Sequence, residues 1–201
     1  MNADLLRTPL GALPVAAIDF ESAGAAPGET DCPVQVGIVR VDRLTGELRR
    51  EACFCSYIAP THPVHWSAAK VHGITTEKLT GAPSFVSLWP ELKQRLSRCA
   101  VVGHNPATEQ RFLRAFPGHG FGPWVDTLQP ARQALPQLPD HSLSTVCDAL
   151  GLTAELNALL PDRRWHDALY DAAASLLLLR FLVQALHMEE VPLSAVAMKG
   201  S

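Results

Sequence analysis

The fold is decided by the stretch Val15-Ala16-Ala17-Ile18-Asp19-Phe20-Glu21, an apolar run that ends in two carboxylates. Side chains two residues apart on a β-strand project to the same face. Asp19 and Glu21 therefore point together, while Ile18 and Phe20 point to the other side. Because like charges beside a core are costly unless they are compensated, this pattern predicts a strand whose end carries a site for positive charge.

A third carboxylate, Asp171, opens a segment that is almost wholly apolar. Only Ser175 is polar between Ala172 and Leu179, and a helix that is apolar nearly all round is normally buried. No matching run of Lys or Arg accompanies the three acids. Hard oxygen ligands of this kind favour Mg²⁺ or Mn²⁺, so the sequence predicts divalent cations between them.

The chain has 201 residues and a formal charge of −3. This length suits a single domain over residues 1–201, with a core at about 13–187 and a loose or partner-covered tail at 188–201. The charge excludes a broad basic surface for long duplex DNA. A short or single-stranded acidic substrate stays open, because bound metal ions would supply positive charge locally.

The cysteines and the N-terminus favour a cytoplasmic protein. The five cysteines are odd in number and form no C-x-x-C pair, and the sequence from Met1 shows no basic region followed by a long apolar stretch. Arg180 interrupts the longest apolar segment, so we expect no membrane span.

Hydrophobic patterning predicts strands that are followed by alternating strands and helices. This order is typical of an α/β fold, a mixed five-stranded sheet flanked by helices. The expected strands are 15–20, 34–41, 52–58, 100–103 and one around 124–126. The expected helices are 84–98, 108–116, 127–135, 142–150 and 167–187.

Five short motifs occur in an order and spacing that resembles the DEDDh 3′–5′ exonucleases, a family that includes the proofreading epsilon subunit of bacterial DNA polymerase III and RNase T. The resemblance covers roughly residues 13–185. The motifs are Asp19-Phe20-Glu21, His72-Gly73-Ile74-Thr75, Gly103-His104-Asn105-Pro106-Ala107-Thr108-Glu109, Asp126-Thr127 and His166-Asp167-Ala168-Leu169-Tyr170-Asp171-Ala172.

The resemblance implies an RNase H-like fold and hydrolysis of single-stranded DNA or short RNA from the 3′ end to nucleoside 5′-monophosphates. It implies two ions, Mg²⁺ or Mn²⁺, with Asp19, Glu21 and Asp171 on the first and Asp19 bridging to the second. His166 matches the general base. The positions matched to substrate contacts are Phe20, Ser22, His72 and Asn105.

The sequence departs from the family pattern at Thr108-Glu109, where relatives have Phe-Asp, and at Ser22, where they usually have Thr. In relatives the Asp reaches the second ion largely through water, so Glu109 is expected to reach it after a small shift of the helix. Two alternatives stay open. One is a nucleic-acid- or nucleotide-binding module of the same fold with weak or no turnover, and the other is an interaction domain with acidic surface groups.

Several residues carry two interpretations from sequence alone. His104 is expected to buttress the loop after the fourth strand, His72-Gly73 forms either a helix end or a substrate contact, and Asp126 is either a helix cap or a functional acid. Four arginines either contact phosphates or serve solubility, namely Arg111, Arg114, Arg163 and Arg164. A DNA polymerase or another replication or repair protein is the partner that the resemblance suggests, while the oligomeric state is left open.

Overall fold

The computed structural model describes residues 3–198. Its five strands form one mixed sheet in the order β3-β2-β1-β4-β5. β1 lies at the centre, antiparallel to β2 and parallel to β4. The predicted α/β architecture with a mixed five-stranded sheet is confirmed. The strands are β1 Val15–Ser22, β2 Pro33–Val41, β3 Cys53–Tyr57, β4 Ala100–Gly103 and β5 Trp124–Asp126.

Helices cover both faces of the sheet, and the alternation of β1 decides which core each residue enters. Val15 and Ala17 belong to the core on the face of the long C-terminal helix, whereas Ala16, Ile18 and Phe20 belong to the core on the opposite face. The α-helices within the described residues are α1 Ala3–Arg7, α2 Trp66–His72, α3 Trp89–Leu96, α4 Ala107–Leu113, α5 Leu128–Ala134, α6 Leu143–Ala149, α7 Thr153–Leu159 and α8 Ala168–Ala185.

The start of α3 differs from the predicted helix over 84–98. A 3₁₀ turn at Val86–Leu88 precedes α3, and the Ser84 Oγ accepts a hydrogen bond from the Ser87 N–H within that turn. Pro90 stands at the beginning of α3, because proline fits a first helical turn but clashes with the preceding turn in a helix interior. The short helix α7 was not predicted.

The prediction of a loose or partner-covered tail was wrong for residues 188–198. Leu193 is fully buried in the core that contains α8, and its N–H donates to the carbonyl of Thr8 at 3.0 Å. The Met198 N–H likewise donates to the carbonyl of Trp124 at 2.8 Å. Burial of Leu193 therefore anchors this segment to the domain. Residues 199–201 lie outside the described part of the chain.

Helix α8 is long and apolar enough to cross a membrane by length and composition alone. In the structure it packs on β1 and β2, and thirteen of its residues are buried. Its apolar sequence is thus accounted for by its position as the central helix of the core.

Candidate metal centre

The acidic end of β1 lies on the α8 side of the sheet. Asp19 and Glu21 follow Val15 and Ala17 on the same face of the strand. Asp19 is paired with Gly37 of β2, and the register of this ladder shifts between Glu21 and Ser22. The predicted common orientation of the two acids is thus consistent with the strand geometry.

Gly37 brings α8 onto the sheet beside Asp19. A Cβ atom at this position would lie 2.2 Å from the backbone carbonyl of Ala168 and from the N atom of Leu169. Only a residue without a side chain permits such contact between strand and helix backbone. Asp171, one turn into α8, is thereby brought to the acidic end of β1.

The beginning of α8 is fixed by polar contacts that connect it to β2. Asp167 Oδ1 accepts hydrogen bonds from the N–H groups of Leu169 and Tyr170, as an N-cap residue does. The buried Gln35 donates through Nε2 to Asp167 Oδ2 at 3.1 Å, and its Oε1 accepts from the Ala168 N–H at 3.1 Å. Arg163 forms an ion pair with Asp167 at 2.6 Å.

Glu109, at which the sequence departs from the DEDDh pattern that it resembles, lies in the first turn of α4 and is only 6 % exposed. Its carboxylate is close enough to Asp19 that its negative charge is, after burial, the largest cause of the raised Asp19 pKa. The Glu109 carboxyl group therefore acts electrostatically on Asp19 from α4.

His166 lies immediately before α8 and completes the group. It has a positive φ of 65°, and its backbone N–H donates to Asp171 Oδ2 at 3.3 Å. One ligand atom each from Glu21, His166 and Asp171 lies within 4.8 Å of the other two. The expectation that His166 lies on the approach to the helix, rather than within it, is confirmed.

Burial raises the pKa values of all four carboxyl groups, and repulsion by neighbouring carboxylates adds to it at Asp19, Glu21 and Asp171. Burial is the largest cause throughout and raises the pKa of Glu21 to about 8 and those of Glu109 and Asp171 to about 7. The Asp19 pKa is raised well above its ordinary value by burial and then by Glu109, Asp171 and Glu21. Repulsion of this kind is relieved when a cation binds between the groups.

The donor set fits divalent cations. Asp171 Oδ1 is buried and has no hydrogen-bond partner among residues 3–198, which is costly for a carboxylate oxygen unless a ligand occupies it. The oxygens of Asp19, Glu21, Glu109 and Asp171 are hard ligands of the kind that Mg²⁺ and Mn²⁺ prefer. These four residues would hold the ions.

Ser22 and His72 lie at the border of this centre. The His72 Nδ1 accepts a hydrogen bond from the Ile74 N–H, so its Nε2 carries the proton and donates to the Ser22 carbonyl at 3.0 Å. The Ser22 Oγ accepts from the Gly24 N–H at 3.4 Å. Gly73 ends α2 in the left-handed conformation with φ 73°, so the helix-end interpretation of His72-Gly73 is confirmed.

Two of the predicted substrate contacts are placed differently. The Phe20 ring is buried on the opposite face of the sheet, in edge-to-face contact with Phe85 and Phe112. A substrate contact by this ring was therefore a wrong prediction, because the alternation of β1 turns it away from the acids. Asn105 is exposed with φ 61° and lines a different cavity, between α5 and the C-terminal segment.

The structure assigns supporting positions to Asp126 and His104. Asp126 Oδ1 accepts hydrogen bonds at 2.8 Å from the N–H groups of Asn105 and Leu128, which joins the loop after β4 to the start of α5. The His104 ring contacts Thr127 Oγ1 and the His141 carbonyl. The expected buttress and the capping interpretation of Asp126 are both confirmed.

The sequence interpretation missed Gln35 and Asp167, which position α8. A signal for Gln35 was present, since it is the polar residue within the apolar stretch Val34–Val39 of β2. Asp167 stands at the N-cap of a predicted helix, where its residue type is favoured. Arg163 is more than a solubility group, because it pairs with this cap.

A carboxylate centre at the end of the middle strand of an RNase H-like sheet is the arrangement of a metal-dependent nuclease. The sequence profile of the RNase T exonuclease family matches residues 16–179. The chain therefore belongs to this exonuclease family, whose members are hydrolases, and the resemblance to DEDDh exonucleases is confirmed.

Two kinds of relatives illustrate the match. The epsilon subunit of DNA polymerase III from Pasteurella multocida is 31% identical over 169 residues, which are 77% of this chain and 62% of that protein. The PolC-type DNA polymerase III of Oceanobacillus iheyensis is 31% identical over 147 residues, 69% of this chain. The chain thus spans about 10% of the length of the PolC-type relative and less than two thirds of the epsilon subunit.

Solved structures share the fold. Exonuclease X in complex with 5′ overhanging duplex DNA superposes with a TM-score of 0.69 at 21% identity, covering 90% of this chain and 98% of that chain. The nuclease domain of 3′hExo, a DEDDh family member bound to rAMP, gives a TM-score of 0.67 at 18% identity over 89% of this chain and 95% of that chain.

Proposed function

We propose that the protein is a metal-dependent 3′–5′ exonuclease that hydrolyses single-stranded DNA or short RNA to nucleoside 5′-monophosphates. The observation that carries this proposal is the grouping of Glu21, His166 and Asp171, whose ligand atoms lie within 4.8 Å of one another, in a site where Asp19 also feels the charge of the buried Glu109.

Asp19, Glu21 and Asp171 would hold the first of two ions, Mg²⁺ or Mn²⁺, and Asp19 and Glu109 the second. Two such ions activate water, orient the phosphate and stabilise the leaving 3′ oxygen. The protein's own part is to fix these four carboxylates on β1, α4 and α8. Rigid placement of this kind is what two-metal hydrolysis requires of its scaffold.

His166 would act as the general base. It is exposed and its ring lies beside Glu21 and Asp171, so it is accessible to a water molecule that attacks the terminal phosphodiester. The base takes the proton of that water, the new P–O bond forms, and the bond from phosphorus to the 3′ oxygen of the shortened strand breaks. Proton removal by a positioned His contributes roughly 10²–10⁴-fold to such a step.

A cavity beside His166 offers a place for the end of the strand. It has a volume of about 400 Å³ and includes His72, Lys78, Arg163 and Arg164 in its lining. Cationic side chains near a carboxylate centre attract phosphates without needing a basic surface over the whole protein. We extend the proposal to a single domain, a cytoplasmic location and a polymerase or repair partner.

The test is digestion of matched 5′-labelled DNA and RNA single strands with Mg²⁺ or Mn²⁺, followed by product analysis. We expect a ladder that shortens from the 3′ end and releases nucleoside 5′-monophosphates. Asp171→Asn should abolish this, because it removes a ligand charge. Asp42→Asn, an exposed acid in the turn after β2, is the matched control.

The same experiment separates the proposal from its rival. Binding of the labelled strand without any metal-dependent shortening, in a folded protein with either ion, would favour a binding module that lacks turnover. Release of nucleoside 3′-monophosphates, or internal cleavage, would contradict the exonuclease mechanism.

A further inference from the structure

A second cluster of metal-ligating side chains lies outside the carboxylate centre. One ligand atom each from Glu29, His62 and His65 lies within 4.8 Å of the other two. Glu29 belongs to the loop that follows β1, and the two histidines stand just before α2. The cluster therefore joins two segments that are more than thirty residues apart in the chain.

Both ring nitrogens of His62 face backbone carbonyl oxygens. Its Nδ1 lies 3.0 Å from the carbonyl oxygen of Pro63, while its Nε2 lies 3.2 Å from that of Thr30 and 3.6 Å from Cys32 Sγ. A neutral ring donates through one nitrogen only. With the proton on Nδ1, Pro63 accepts it, as a backbone carbonyl does when it orients a ligating histidine. The Nε2 lone pair is then free for a metal ion, which would replace the contact with the Thr30 carbonyl.

His65 and Glu29 are already in contact. The His65 Nε2 lies 2.9 Å from Glu29 Oε2, and the same oxygen accepts from the Ala26 N–H at 3.0 Å. The backbone of His65 is fixed as well, since its N–H donates to the Ala23 carbonyl and its carbonyl accepts from the Ala69 N–H at the start of α2. Two of the three ligands are thus held on defined backbone.

We propose that Glu29, His62 and His65 bind one divalent transition-metal ion, with Zn²⁺ as the best match. Two imidazoles and one carboxylate form a common zinc ligand set, with a fourth position left for water. Imidazole favours Zn²⁺ over the Mg²⁺ that suits the carboxylate centre, and the neighbouring Cys32 thiol adds a soft donor that Mg²⁺ does not seek.

The ion would connect the loop 23–31 to the beginning of α2. The far end of α2 carries His72, whose Nε2–H binds the Ser22 carbonyl next to Glu21. A zinc ion would therefore fix the beginning of α2, while His72 fixes its end beside the carboxylate centre. Zinc binding at this site does not require exonuclease activity, so a test of the zinc site is independent of a test of the proposed function.

The test uses the full chain with Asp19→Asn and Asp171→Asn, which removes ligands from the carboxylate centre. After chelator treatment and dialysis, titration with Zn²⁺ alone should show one equivalent bound, with Mg²⁺ unable to displace it. His62→Asn, His65→Asn and Glu29→Gln should each weaken Zn²⁺ binding by about tenfold or more. The exposed His187, at the end of α8, provides the control His187→Asn, since its φ of 53° suits Asn.

X-ray absorption at the zinc edge gives a readout that needs no ligand variant. A first shell of nitrogen and oxygen with the multiple-scattering pattern of two imidazoles would support the site. Absence of bound Zn²⁺, a shell without imidazole, or equal affinity in folded His62→Asn, His65→Asn and His187→Asn proteins would overturn the proposal.

Discussion

Asp19 lies in the electrostatic field of four other carboxyl groups, those of Glu109, Asp171, Glu21 and Asp167. The nearby cations Arg163 and Arg111 are already paired with other acids, Asp167 and Asp31. Burial disfavours the ionised forms of Asp19, Glu21, Glu109 and Asp171, and repulsion adds to this at Asp19, Glu21 and Asp171. The site is therefore a place where individual residues lower the stability of the metal-free protein in favour of binding cations.

The first prediction follows from the raised pKa values. A carboxyl group whose pKa rises on folding binds more protons in the folded state, so stability falls as pH increases from the ordinary Glu value of 4.5 to about 8. Asp19→Asn removes one repelling charge. Metal-free Asp19→Asn should be more stable than the parent by about 1–3 kcal/mol at the upper end of that window, with a smaller difference at its lower end.

Urea unfolding in chelator across this pH range measures the effect. Asp42→Asn serves as the control for loss of a negative charge elsewhere on the surface. An Asp19→Asn protein that is less stable than the parent at every pH would show that Asp19 does not lie in a repulsive cluster.

The second prediction concerns His166→Ala. His166 would move a proton, whereas the carboxylates supply the negative charge that binds the ions. Turnover should therefore fall roughly 10²–10⁴-fold while metal affinity stays within a few-fold. Single-turnover rates and Mn²⁺ titration measure the two quantities separately. Parent-like turnover at saturating substrate would rule out a general base at this position.

The third prediction concerns Glu109→Gln, which keeps the size of the side chain and deletes its charge. It should lose most activity, since the second ion loses a carboxylate ligand. Glu51→Gln, at an exposed position remote in sequence from the motifs, is the control and should keep its activity. We expect a moderate loss of activity for Glu109→Asp, because its side chain is one methylene shorter and would not extend as far towards the second ion. Full activity of Glu109→Gln with Mg²⁺ and with Mn²⁺ would remove Glu109 from the ligand set.

The contact between β2 and α8 determines whether Asp171 meets the β1 acids. Gly37 allows the helix backbone to touch the strand, and Gln35 pairs with both the backbone and the cap at the start of the helix. A buried amide with both of its ends satisfied fixes orientation as well as distance. These two residues of one strand thus position an acid on another element.

The fourth prediction is a loss of both stability and activity in Gly37→Ala. The added methyl group meets backbone atoms that cannot rotate away, so we expect a cost of about 1–3 kcal/mol and a displaced Asp171. Gly11→Ala, before the opposite end of β1, meets mainly Glu189 at 3.2 Å and should affect stability alone. Thermal melts and initial rates on a labelled strand distinguish the two. Normal rates in a folded Gly37→Ala protein would contradict the positioning role.

The sequence predicted the strands and most of the flanking helices because their hydrophobic periodicities are strong. It predicted the acids of the site because charge at the end of an apolar strand is conspicuous. It did not predict the start of α3 at Trp89, although Pro90 is a local signal for a helix start. It did not predict the packing of Leu193 because burial of a terminal segment depends on tertiary contacts. The buried ring of Phe20 shows the same limit, because a motif position was assigned to substrate although strand alternation points it into the core.

In the molecule as a whole, β1 and α8 meet at one point although about 150 residues separate them along the chain. Helix α4 packs on the opposite face of the sheet and adds Glu109. The family match over residues 16–179 includes the acids of all three elements. Folding therefore assembles the centre, and binding of cations should in turn stabilise the fold by mass action.

The metal centre is tested most directly by melting temperatures measured in chelator and in Mn²⁺. The two proteins compared are the parent and the double variant Asp19→Asn/Asp171→Asn, at a pH of about 8, where the carboxyl groups lose their protons. A ligand at a hundredfold excess over its dissociation constant adds about 2.7 kcal/mol to the stability of the state that binds it. We predict a clear rise of the parent's melting temperature with Mn²⁺ and a much smaller rise in the double variant. Equal melting temperatures of the parent with and without Mn²⁺, or the same rise in both proteins, would contradict a metal centre formed by these carboxylates.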